Sequence, residues 1–154
     1  MMRDREITDK IELVKSYVNS NLGQWMESPR NKAFGENKRQ KYQLFQKNPD
    51  DKILFKLESG NPLYIEIWRF EEALTFLYAN KGPVKVGARI SRNYPGISLE
   101  DHLMKIAKKV YNRSSDAKTA PHIADLLVLA DIAEFKQIVP VMGRKVQGVK
   151  LKGI

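Results

Sequence analysis

The hydrophobic period of this chain switches between helical and extended several times, and that alternation commits it to a mixed α+β fold. Ile7, Ile11, Val14, Val18, Leu22 and Trp25 recur at three- and four-residue steps, marking one stripe of an amphipathic helix over 7–25. Thr8 or Asp9 can cap its start, and Ser28-Pro29 blocks its continuation. The stripe has two possible partners, the domain's own core or a second copy of the chain in a homodimer. At residue 53 the period drops to two. Ile53, Phe55 and Leu57 alternate with Lys56 and Glu58, Ser59-Gly60-Asn61-Pro62 turns the chain, and Leu63, Ile65 and Ile67 return along one face. Residues 52–69 are therefore expected to form a β-hairpin.

Helical spacing resumes over 70–81, with Phe70, Ala73, Leu74 and Leu77 inward and Lys81-Gly82-Pro83 as a stop. Val84 to Ile90 alternates again and predicts a third strand, closed by the turn Asn93-Tyr94-Pro95-Gly96. Ser98 caps the next helix, which has Glu100 and Asp101 in its first turn. Leu99, Leu103, Ile106 and Val110 form its predicted core stripe, and Lys105, Lys108 and Lys109 crowd the other side. After the polar stretch 112–118, Thr119-Ala120-Pro121 opens a helix over 119–134 with Ile123, Leu126, Leu127, Ala130 and Ala133 inward. Residues 137–141 and 146–151 read as a strand pair around Met142-Gly143-Arg144-Lys145.

The 154 residues suit one domain over 1–154, large enough to fold on its hydrophobic core alone. Its parts are an N-terminal helix and basic arm (1–51), the hairpin (52–69) and a C-terminal part (70–152). Cysteine is absent, which excludes disulfides, thiolate metal sites and a cysteine nucleophile, and favours an intracellular setting. The charged start and the lack of a long apolar run predict a soluble, cytoplasmic protein with no membrane partner.

The net charge of +9 directs attention to phosphate-rich partners, although a lysine-rich surface also occurs in heat-adapted proteins. Its distribution is uneven. Between residues 30 and 47, Arg30, Lys32, Lys38, Arg39, Lys41 and Lys47 face Glu36 alone. Between 136 and 154, Lys136, Arg144, Lys145, Lys150 and Lys152 meet no acid. Phe34, Tyr42 and Phe45 lie within the first segment, a mixture suited to stacking bases while cations neutralise phosphates, or else to anchoring an irregular loop.

From Phe70 to Leu151 the order helix, strand, helix, helix, strand, basic turn, strand resembles the winged-helix variant of the helix-turn-helix fold. The resemblance implies that the helix over 119–134 reads a groove and that Gly143, Arg144 and Lys145 tip a wing on backbone or minor groove. It implies DNA, in preference to RNA, as the partner. One departure bears on this. Between Thr119 and Phe135 there are Asp125, Asp131 and Glu134 but neither lysine nor arginine, so the preceding helix is the better electrostatic surface. The expected nucleic-acid contacts are Lys105, Lys108, Lys109, Lys118, Arg144, Lys145, Lys150 and Lys152, with Arg30, Lys32, Lys38, Arg39 and Lys41 as a second strip. A protein-interaction or scaffolding subunit is the alternative.

Catalytic signatures are not found. His102 and His122, on different helices, lack metal-ligand spacing and read as surface or capping residues. Glu66-Ile67-Trp68 lacks the lysine of an Asp…Glu-x-Lys nuclease, and no glycine-rich phosphate cradle occurs. No enzyme, cofactor or metal is expected.

Overall fold

The computed structural model describes residues 2–34, 41–47, 52–58, 60–87, 97–112, 119–138 and 146–153. Its architecture is α+β, with helices packed around two small antiparallel sheets. Helix α1 (Met2–Ser20) buries Ile11, Val14 and Val18 in the common core. It starts earlier and stops sooner than the apolar stripe predicts. Gly23 adopts φ 72°, a left-handed conformation that turns the chain away, and leaves Leu22 and Trp25 about half exposed. Ile11, Val14 and Val18 of the stripe thus lie in the chain's own core and Ile7 packs against it, while its last two members do not.

Strand β1 (Met26–Glu27), helix α2 (Pro29–Phe34), β2 (Lys41–Lys47), β3 (Lys52–Leu57) and β4 (Leu63–Glu66) follow. The four strands form a meander in the order β1-β2-β3-β4, with Leu44 opposite Phe55 and Ile53 opposite Ile65. The hairpin is where its alternation puts it. Strand β2 is a finding, because 29–51 reads as loop and short helix: Tyr42 and Leu44 point inward, while Gln43 and Phe45 belong to the outer face.

Helix α3 (Ile67–Ala79) takes up the end of the expected return strand, burying Phe70, Ala73, Leu74 and Leu77. Short strand β5 (Val84–Lys85) leads to α4 (Leu99–Tyr111), where Ser98 Oγ accepts from the Asp101 backbone N–H at 3.1 Å, the cap expected from sequence. Helix α5 (Ala120–Leu129) is shorter than expected, because residues from Ala133 onward enter β6 (Ala133–Ile138), which pairs with β7 (Val146–Leu151). The second sheet has the order β5-β7-β6. The chain from Ala88 to Gly96, within which the expected third strand and turn continue, lies outside the described residues, as does the tip of the C-terminal hairpin.

A single cluster joins Val14 and Val18 from α1, Tyr42, Phe55 and Ile65 from the first sheet, Leu74, Leu103 and Leu126 from three helices, and Val149 from the second sheet. Among the described residues no helix is long and apolar enough to cross a membrane.

Gly148 in the middle of β7 is required by packing. A Cβ there would sit 2.8 Å from Ile138 Cδ1 and 2.9 Å from the Lys136 carbonyl oxygen. Ile138 can swing aside, but the carbonyl is fixed in the strand opposite, where Lys136 pairs with Gly148. Gly148→Ala is expected to lower stability by about 1–3 kcal/mol, read as an earlier midpoint in urea denaturation with an unchanged slope.

Candidate nucleic-acid interface

Helix α4 is the most polarised element. Leu99, Leu103 and Ala107 recur every four residues and lie in the core. Lys105, Lys108 and Lys109, spaced three and four apart, occupy the opposite face and are all exposed. Among the described residues none of the three is in an ion pair. The acids of the first turn are occupied elsewhere: Asp101 accepts from the Ser98 hydroxyl at 2.7 Å, and Glu100 is buried with Oε1 3.4 Å from the Ala120 backbone nitrogen. The helix therefore offers water a cationic strip.

An aromatic ledge closes the end of that helix. Tyr111, 43% exposed, stacks on Trp68 with ring centroids 4.2 Å apart and planes 24° from parallel. The Arg69 guanidinium carbon lies 4.5 Å from the Trp68 ring centroid, and Arg69 also reaches Glu66 at 3.6 Å. This ledge is not evident from the sequence, and Val110, expected in the core, is 62% exposed. Spacing offered no signal for it, because Tyr111 continues the four-residue step of Leu99, Leu103 and Ala107 and emerges only where the helix ends.

Helix α5, the expected groove reader, is placed quite differently. Ile123, Ala124, Asp125, Leu126 and Leu127 are all buried, and Thr119, expected near a groove, is buried as well. Asp125 is not a solvent-facing acid. Its carboxylate accepts from Arg30 Nε at 2.8 Å and Nη2 at 3.1 Å, from Ser28 Oγ at 2.8 Å and from Tyr42 Oη at 2.9 Å. Burial pushes the Asp125 carboxyl up, and the Arg30 guanidinium and these hydrogen bonds pull against that shift. The Tyr42 phenol is raised by its burial and by the adjoining carboxylate.

His122, one turn from Asp125, lies between aromatic rings, 6.1 Å from Tyr42 and 5.3 Å from Phe55 by centroid. Burial, aided by the positive charge of Arg30, pushes it down to about 4. His102 instead stacks on Phe76 at 4.5 Å and approaches Glu72 at 3.5 Å. Both histidines are packed rather than surface or capping groups, and they have separate surroundings.

Two expected contacts change meaning. Arg30 is committed to Asp125, so its guanidinium serves the interior and is not a free cation. Tyr42, one of the aromatics considered for base stacking, is fully buried. Lys32 and Lys41 are exposed, as expected for surface cations. Lys150 lies across from Glu134 in the β6–β7 ladder, and Lys152 is bonded to Asp131 at the surface. Lys38, Arg39, Lys118, Arg144 and Lys145 lie outside the described residues, as does Gly143.

Among the described residues no cluster of three or more His, Asp or Glu side chains is arranged to hold a metal. No family model, no curated protein and no solved structure matches the chain.

Proposed function

We propose that this protein is a nucleic-acid-binding module, DNA in preference to RNA, serving as a regulator or accessory subunit and not as an enzyme. The observation that carries the reading is the solvent face of α4, where Lys105, Lys108 and Lys109 form an exposed strip free of ion pairs among the described residues. Cations so placed neutralise successive phosphates and release their counterions.

A winged-helix-like arrangement of the C-terminal half is part of the same proposal. It draws support from the element order α3-β5-α4-α5-β6-β7 and from the strand order β5-β7-β6, in which the last two strands make the wing hairpin. The covered state of α5 modifies what that arrangement does. With α5 sheathed by Ser28, Arg30, Tyr42 and Phe55, contact falls to α4 and to Arg144 and Lys145, which the sequence places between β6 and β7 and which lie outside the described residues. Such contacts grip backbone and carry little base information.

The test is a fluorescence-anisotropy titration of a short labelled duplex across a salt series, comparing the wild type with Lys105→Gln/Lys108→Gln/Lys109→Gln. All three positions are exposed, so the fold is expected to persist. Loss of three phosphate contacts should flatten the slope of log K against log salt by about 2.7. Wild-type binding that is absent or insensitive to salt, or a triple variant that binds like the wild type, would overturn the proposal.

A further inference from the structure

The four-stranded sheet has one face in the core and the other in water. Inward go Tyr42 and Leu44 of β2, Ile53 and Phe55 of β3 and Ile65 of β4, all fully buried. The intervening residues take the outer face by strand alternation. The ladder aligns Phe45, Leu54 and Tyr64 in one row running across three strands. Trp25 directly precedes β1, whose Met26 and Glu27 pair with Tyr42 and Lys41, so the register extends to Trp25 beside Gln43 and Lys56. The loop from α1 folds against this side too, since Gly23 accepts from Gln43 Nε2 at 2.6 Å and lies close to the Phe45 ring.

Aromatic side chains on this face are thus wet. Trp25 is 53% exposed and Tyr64 47% exposed, and Phe45 is partly so. None of them belongs to the core cluster or packs against it. Lys41, Lys52 and Lys56 stand among them, all exposed and, among the described residues, without an ion pair. The acids of this side stand on the two edge strands, Glu27 opposite Lys41 and Glu66 opposite Lys52, while Lys56 is opposite Gln43. Glu27 at the β1 edge accepts from Asn31, Glu66 at the β4 edge is paired with Arg69, and Glu58 follows the end of β3. Flat aromatic faces flanked by cations match one chemistry in particular: unpaired bases that stack and a phosphate backbone that needs neutralising. A duplex hides its base faces and cannot use the aromatics. A protein partner would be served by the apolar row but would leave three lysines without a purpose.

We propose that the outer face of this sheet binds single-stranded nucleic acid, with Trp25, Phe45 and Tyr64 as stacking positions and Lys41, Lys52 and Lys56 on the backbone. None of these residues belongs to the α4 strip, and the inference does not rest on it.

The experiment uses the full chain and fluorescein-labelled oligothymidylate and oligouridylate, alongside a matched duplex. Trp25→Ala/Tyr64→Ala removes two exposed rings and is expected to weaken single-strand binding by at least about tenfold while duplex binding is retained. The chain has two tryptophans, so in a Trp68→Phe background Trp25 alone reports. Stacking should quench its emission as either oligonucleotide is added, and the stronger of the two identifies DNA or RNA as the preferred strand. Failure of either oligonucleotide to bind, an unchanged Trp25 emission on binding, or equal affinity of the double variant would overturn this inference. Loss of duplex binding alone would count against the α4 reading and leave this one standing, because Lys105→Gln/Lys108→Gln/Lys109→Gln is expected to spare the Trp25 quench.

Discussion

Asp125→Ala is expected to destabilise the protein by about 3–5 kcal/mol, a large share of the total stability of a domain this size. The carboxylate is fully buried and is the shared acceptor for Arg30, Ser28 and Tyr42. Its removal leaves a guanidinium with 12% side-chain exposure without its counter-charge and two hydroxyl donors without their acceptor. The desolvation cost of each group has already been incurred by folding, so losing the partner is worse than losing a surface pair. Asp125→Asn keeps the shape and can still accept hydrogen bonds, but not the charge, and should fall between the two. The double variant Arg30→Met/Asp125→Leu removes both charges and should recover part of the loss, since an apolar pair of similar volume has no ion to desolvate. Urea denaturation of the wild type and the three variants checks this order of stabilities. An Asp125→Ala protein within about 1 kcal/mol of the wild type would show that the network adds little.

The network also explains why α5 is closed to a groove. Arg30 and Asp125 are 95 residues apart in sequence, and their bond clamps the start of α2 onto the helix that a winged-helix resemblance would assign to base reading. The N-terminal elements therefore act on the C-terminal half as a cover held by charge as well as by packing. Any contact with a long polyanion is redirected to the surfaces left outside that cover.

Much of the fold could be read from periodicity. The hairpin, α3, α4 with its serine cap and β7 all follow from local patterns that act over a few residues, whereas β6 begins at Ala133, four residues before the expected start at 137. The failures share a cause, which is that the deciding interaction is remote. Asp125 in a helix looks like a solvent-facing acid because its partners are far away in sequence. Arg30 looks like a free cation for the same reason. Strand β2 was hidden because Tyr42-Gln-Leu-Phe45 places apolar residues on both faces, and a two-sided strand does not alternate cleanly. Leu22 and Trp25 continue the spacing of α1, yet Gly23 ends the helix at a conformation that spacing cannot reveal. For the site, the cationic side of α4 was legible, since three lysines at helical spacing need no distant information. Of the exposed rings of the first sheet, Phe45 was legible as a stacking candidate among cations, but its grouping with Tyr64 and Trp25 was not, because it depends on a strand that sequence alone did not disclose.

His122 is expected to give the protein an acid-sensitive stability that His122→Phe removes. Its ring is held between Tyr42 and Phe55, and neither nitrogen has a hydrogen-bond partner among the described residues. Burial and the nearby guanidinium hold its folded pKa at about 4, against about 6.5 in the unfolded chain. Within that interval the unfolded state takes up a proton that the folded state refuses. Stability therefore falls as pH drops from about 6.5 towards 4, by an amount on the order of 3 kcal/mol in all. Above pH 7 both states are neutral, and the contribution is flat. Burial raises the Asp125 carboxyl and so gives a slope of opposite sign towards the acid end, but that group is present in both proteins and cancels in their difference. Phenylalanine replaces a ring of similar size without a proton to bind and without two unsatisfied nitrogens, so His122→Phe should match or exceed wild-type stability at pH 7.5 and gain on it steadily down to pH 4.5. Unfolding free energies from urea titrations at half-unit steps of pH provide the comparison. Parallel curves for the two proteins would mean that the imidazole takes up its proton as easily folded as unfolded, and that the aromatic enclosure does not shield it.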